Sequence, residues 1–158
     1  LKDYEPPIVT RIYAGDGRLM AEFAQEKRVF VPIDNMPDLV KHAFIAAEDQ
    51  NFYSHDGVDP TAIMRAATVY ARHMMGENVN VIGGSTITQQ VVKNFLLTNE
   101  RSFERKIKEA ILASRMENAM SKDRILELYL NQIYLGARSY GVAASALQYF
   151  NKSLDELT

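Results

Sequence analysis

Hydrophobic and polar positions alternate only in the first part of the chain. Ile8-Val9-Thr10-Arg11-Ile12-Tyr13 has period two and runs into the turn sequence Ala14-Gly15-Asp16-Gly17. Segments 19–23 and 28–33 continue in the same manner, which predicts a small N-terminal β-hairpin or meander. From Pro37 onward the period becomes helical. Pro37 suits a first helical position, and Asp38 complements the helix dipole. Val40, Phe44 and Glu48 then share one side of the first helix. Asp59 and Pro60 mark the start of a second helix with an apolar face of Ile63, Ala66, Ala67 and Tyr70, stopped at Gly76.

Thr86 and Gln89 have capping-box spacing and predict a helix to about Leu97, with Ile87, Val91 and Phe95 facing the core. A long helix is expected over 100–120, with Phe103, Ile107, Ala110, Ile111 and Ser114 on its apolar face. Ser121 caps the next helix, whose Ile125, Leu126, Leu128, Leu130 and Ile133 are apolar nearly all round, so it should be central; Gly136 closes it. A Gly- and Ala-rich helix is expected over 139–150. The result is a mainly α domain with a small β appendage, divided as a β-rich segment over 1–35 and a helical domain over 36–158.

Composition narrows the chemistry. The 158 residues suit one domain with a real core. Cysteine is absent, which removes thiol catalysis, Cys-based zinc sites and disulfides. The formal net charge is −2, so no global field favours nucleic acid. The bases are nevertheless clustered: Lys93, Arg101, Arg105, Lys106 and Lys108 lie close together in sequence. No apolar run is long enough to cross a bilayer. The chain opens at Leu1 rather than Met, which reads as an excised fragment whose targeting segment lies upstream.

Glu48 ends an apolar run, so desolvation is expected to raise its pKa and prepare it as a general acid or base. A helix that simply ends in solvated acids is the plain alternative. Thr86, Gln90 and Lys93 form a polar stripe suited to a polyhydroxylated ligand, or an ordinary solvated face. Gly83-Gly84-Ser85 offers backbone amides to an anion at a helix start. Arg105, Lys106, Lys108 and Glu109 read either as a salt-bridged exposed helix or as a diphosphate clamp that lowers the pKa of Glu109. Two carboxylates pushed apart in pKa would divide acid and base work. Glu48, Asp49 and His55 match no strong metal-ligand spacing, and His55 reads as a brace for the loop entering Gly57. His42 and His73 read as surface residues.

In order along the chain, these segments resemble glycosyltransferase family 51, the peptidoglycan glycosyltransferase domain of class A penicillin-binding proteins. The first motif stands as Glu48-Asp49-Gln50-Asn51-Phe52-Tyr53-Ser54-His55-Asp56-Gly57. The second is Gly83-Gly84-Ser85-Thr86-Ile87-Thr88-Gln89-Gln90 with Lys93-Asn94, and the third is Arg105-Lys106-Ile107-Lys108-Glu109. Lys122, Ile125-Leu126 and Tyr129-Leu130-Asn131 match the fourth; Arg138, Gly141 and Tyr149-Phe150 resemble the fifth.

The resemblance implies a lysozyme-like α fold and polymerisation of membrane-bound lipid II with release of undecaprenyl diphosphate. It makes Glu48 the general base and Glu109, with Lys106 and Arg105, the support of the departing diphosphate. Asp49, Phe52, His55, Gly84, Ser85, Thr86, Gln89, Gln90, Lys93, Arg101, Lys108, Asn131 and Arg138 are the implied substrate contacts. A divalent metal, Mg or Mn, assists some members; no organic cofactor is implied. The implied partners are lipid II, the growing lipid-linked glycan strand, the membrane surface and a transpeptidase domain of a longer protein, with no nucleic acid. The implied location is the periplasmic face of the bacterial cytoplasmic membrane. Family members carry an N-terminal transmembrane helix and further C-terminal helices, and segment 74–81 falls where they have a mobile membrane-proximal stretch. Competing readings are a lysozyme-like glycan hydrolase or lytic enzyme, and a non-catalytic glycan-binding module.

Overall fold

A computed structural model describes residues 10–13, 15, 19–23, 27–78, 83–96 and 103–157, with the backbone alone at 10–13, 19–23, 96 and 103. Six helices carry the described chain: α1 (Asp38–Glu48), α2 (Pro60–Met74), α3 (Ile87–Leu96), α4 (Phe103–Ala119), α5 (Lys122–Gln132) and α6 (Val142–Phe150). The strands are β1 (Thr10–Tyr13), β2 (Leu19–Phe23), β3 (Lys27–Arg28) and β4 (Ser139–Tyr140). The domain is therefore mainly α, as a lysozyme-like fold requires. It divides into two compact units, one of Leu1–Pro37 with Leu130–Thr158, the other Asp38–Tyr129.

In the first unit, β1 and β2 form the expected antiparallel hairpin, with Thr10 opposite Phe23 and a register shift between Ile12 and Tyr13. The meander does not continue. The segment expected over 28–33 has only Lys27–Arg28 in strand form, paired parallel to β4, and a 3₁₀ turn follows at Ile33–Asn35. Ser139 and Tyr140, expected in the last helix, are taken by this pairing, so α6 begins at Val142. Gly141 makes the break possible. Its φ is 81°, and a Cβ there would lie 2.7 Å from the Asn131 carbonyl oxygen. Asn131 in turn brackets the backbone of Val31, accepting from its N–H at 2.8 Å and donating to its carbonyl at 2.9 Å. Burial of Val142, Ala143, Ala144 and Ala146 shows why α6 is rich in small residues.

The second unit holds the buried side chains of Phe52, Ile87, Val91, Val92, Ala113, Ile125, Leu126, Leu128 and Tyr129. The apolar stretch of α5 is central, as expected, and Ser121 Oγ accepts from Arg124 N–H at its start. Helix α1 starts at Asp38, one residue after Pro37. For α2 the predicted start is observed: the Asp59 side chain caps Thr61 N–H, Pro60 sits in the first turn, and Gly76 follows the end with φ 87°.

Two predicted apolar faces are corrected. No residue of α2 is buried, and Ile63 and Tyr70 are exposed. On α4, Ile107 and Ile111 are also exposed, while the buried stripe is Glu109, Ala113 and Met116. Both α4 stripes have helical spacing, so periodicity could not choose between them. The one containing a carboxylate went inside because Glu109 found a cationic partner there.

Candidate active site

All the geometry of this site lies within the unit Asp38–Tyr129. The loop after α1 is built around one carboxylate. Asp49, 6% exposed, accepts from Ile87 N–H at 3.0 Å, and both its oxygens lie within 3.0 Å of His55 Nε2. His55 Nδ1 accepts from Gly57 N–H at 3.1 Å. The histidine thus braces the loop entering Gly57, as the sequence suggested, and Asp49 ties that loop to the start of α3. Phe52 is fully buried beneath this arrangement, edge-on to His55. Asp59 accepts from Thr61 N–H, Thr61 Oγ1 and Asn51 Nδ2. The Thr61 and Asn51 hydrogen bonds hold its carboxyl well below the usual range.

The start of α3 is a reciprocal capping box. Thr86 N–H donates to Gln89 Oε1 at 3.0 Å, and Gln89 N–H donates to Thr86 Oγ1 at 3.1 Å. Thr86 Oγ1 also donates to the Gly57 carbonyl at 2.7 Å. Thr86 and Gln89 are therefore buried in holding the helix start, and the amides of Thr86 and Ile87 are already engaged. Gly84 stands close to α2, where an added Cβ would lie 3.1 Å from Ala66 Cβ.

Glu48, Gln90, Lys93, Arg105, Lys106 and Glu109 line one cavity of about 580 Å³, together with Asp49, Ser85 and Thr86. Glu48 is exposed to it and accepts from Gln90 Nε2 at 3.0 Å. Glu109 is 2% exposed. Lys106 Nζ bridges Glu109 Oε1 at 2.5 Å and Ser85 Oγ at 2.8 Å. Burial is thus the reverse of the sequence expectation: the carboxylate removed from water is Glu109, and Glu48 faces solvent. A run of apolar neighbours did not bury Glu48, because no residue of α1 is itself buried and Ala46 and Ala47 are exposed beside it.

Lys108 is exposed on α4 and is not among the cavity-lining side chains. Arg101 lies outside the described residues. Asn131 and Arg138 belong to the other unit. There Asn131 is engaged with Val31, and Arg138 is exposed with φ 60°, its carbonyl accepting from Lys27 N–H.

Arg65 and Glu117 were missed in the sequence, and Thr88 and Lys122 were read only as motif positions without a role. Arg65 lines the cavity from α2. Its signal was available: it is the sole charged residue between Pro60 and Tyr70. Lys122 Nζ donates to the His55 carbonyl at 2.6 Å and to Glu117 Oε1 at 2.8 Å, and it lies 4.6 Å from the Phe52 ring centroid. Thr88 Oγ1 donates to the same Glu117 oxygen. No spacing rule could have joined three residues from three helices.

Four cations (Arg65, Lys93, Arg105 and Lys106) and four carboxylates (Glu48, Asp49, Asp59 and Glu109) thus line this cavity, and the sequence agrees with the fold on its class. It matches the transglycosylase family over residues 16–158, and the chain belongs to that family. It is 58% identical over 158 residues to penicillin-binding protein 1A of Rickettsia bellii (strain RML369-C), covering 100% of this chain and 20% of that protein. Penicillin-binding protein 1A of Aquifex aeolicus (strain VF5) is 51% identical over 158 residues, with 100% and 21% covered. That of Escherichia coli (strain K12) is 49% identical over 160 residues, with 100% and 18% covered. The chain thus spans about a fifth of the length of these relatives.

Proposed function

We propose that this domain is a peptidoglycan glycosyltransferase of bacterial cell-wall synthesis. It polymerises lipid II into β-1,4-linked glycan by displacing undecaprenyl diphosphate with inversion. The observation that carries the reading is the shared cavity of Glu48 and the Lys106–Glu109 pair. Glu48 takes the proton of the incoming 4-hydroxyl as its oxygen attacks the anomeric carbon of the lipid-linked strand. The bond to the diphosphate oxygen breaks, and its electron pair leaves with the diphosphate. That leaving group needs charge neutralisation more than a proton. Lys106, Arg105 and Lys93 supply the charge, and Glu109 fixes the direction of the Lys106 ammonium. Direct displacement converts the α-linked donor to a β link. Substrate filling the cavity expels water from Glu48, which supplies the desolvation that the open cavity lacks.

Asp49 and His55 act in this scheme as braces, with Phe52 beneath them, and Thr86 and Gln89 hold the helix start. Gly83, Ser85 and Gln90 line the sugar or diphosphate path, and Gly84 packs behind them against α2. Among the described residues no three His, Asp or Glu side chains gather as metal ligands. A divalent ion, Mg or Mn, would supply further charge neutralisation to the diphosphate; no residue is assigned to hold it, and no step depends on it. No described helix is long and apolar enough to cross a membrane. Work on the periplasmic face of the cytoplasmic membrane, and a transpeptidase domain in a longer protein, belong to the same proposal. The fivefold greater length of the relatives leaves room for the latter.

Incubation with lipid II in detergent tests the reading. Polymer that still carries lipid is the expected product. Shortening of preformed glycan without polymerisation would instead indicate a hydrolase. Glu48→Gln should abolish turnover and retain lipid II binding; near-normal turnover would remove Glu48 from its role.

A further inference from the structure

Tyr129 on α5 is 1% exposed, and its hydroxyl oxygen is buried without a hydrogen-bond partner among the described residues. Buried polar groups are nearly always paired, so such an oxygen calls for a reason. Phenylalanine would fill the same space without the unpaired group. The ring is set by Phe44, edge-on at 73° with centroids 6.3 Å apart. Phe44 and Glu48 are one helical turn apart on α1 and share a face, so the ring lies against the face that ends in Glu48. Burial first, and then the negative charge of Glu48, raise the pKa of the phenol. Gln90 holds Glu48 Oε2 from α3. The other carboxylate oxygen has no protein partner among the described residues.

We propose that Tyr129 is a positioning residue for Glu48, its buried hydroxyl donating directly to Oε1 once substrate fills the cavity and turns the Glu48 side chain inward. The inference rests on Glu48 being the general base. Held by Gln90 at one oxygen and Tyr129 at the other, the carboxylate is kept in one orientation toward the attacking hydroxyl. An exposed glutamate at a helix end would otherwise sample several rotamers, few of them productive. The role also gives the unpaired oxygen a function: it lies behind the cavity wall and meets its partner only when Glu48 turns inward.

Tyr129→Phe keeps the ring and removes the hydroxyl. In lipid II polymerisation its kcat should fall about tenfold or more, the scale of a lost hydrogen bond to a charged group. KM should stay within about twofold, because ground-state binding is untouched. The melting temperature should hold or rise, since no protein contact is removed. Wild-type kcat in Tyr129→Phe, with Glu48→Gln inactive, would overturn the inference and leave the general base standing. A lowered melting temperature with kcat and KM both impaired would make Tyr129 a core residue alone, and would also overturn it. Normal turnover by Glu48→Gln would remove the general base, and this inference with it.

Discussion

Asp59 joins stability to pH. Its carboxylate caps α2 and also binds Thr61 Oγ1 and Asn51 Nδ2, and these hydrogen bonds favour the ionised form in the folded chain. The folded-state pKa lies below the ordinary 3.8. The contribution is therefore fully present above that value and is lost as the pH falls through it toward the folded-state value. Asp59→Asn keeps a capping side chain but removes the charge from three hydrogen bonds, and should be less stable at neutral pH by about 1 kcal/mol. Its stability should also decline less steeply between about pH 5 and pH 2, followed by chemical denaturation at each pH. An equally steep decline would remove Asp59 from acid sensitivity. This residue was legible in the sequence, because a cap before proline is a local signal. Glu48 was legible as a special carboxylate, but its exposure was not, since burial depends on what the rest of the chain places above it.

Gly57 decides how the loop after α1 meets α4. With φ 91°, it occupies backbone space that disfavours any side chain, and a Cβ would stand 2.7 Å from Ala113 C and 2.8 Å from Ala113 O. Both atoms are helix backbone and cannot step aside. Gly57→Ala should cost about 2 kcal/mol or more, read as a lower denaturant midpoint at unchanged slope. Activity should fall with it, because the same loop holds His55 against Asp49 and accepts from Thr86. A stable, fully active variant would show that the loop can retreat from α4. Helix starts were readable at this scale: Asp59 before α2, the Thr86–Gln89 box before α3 and Ser121 before α5 are short-range devices. The buried face of α4 was not, because a stripe carrying Glu109 counts as polar until Lys106 pairs with it. The pairing of Lys27 and Arg28 with Ser139 and Tyr140 was equally hidden, since it links segments far apart in sequence.

Over the whole molecule the formal charge is only −2, yet cations gather around one cavity. Attraction of a diphosphate by that cluster should be screened by salt. Raising monovalent salt from about 0.05 to 0.5 M should raise KM for lipid II several-fold and leave kcat within about twofold. A KM that ignores salt would speak against an anion clamp. The sequence by itself determined the mainly α character, the starts of α2, α3 and α5, the order of the motifs and so the family, because each rests on neighbours within a few positions. Tertiary structure alone decided that Glu109 is buried and Glu48 exposed, that Asp49 reaches Ile87, and that Lys122 joins the His55 carbonyl to Glu117. These depend on contacts between residues distant along the chain. A buried polar group is tolerated only where such contacts pair it, and no local pattern records the partner.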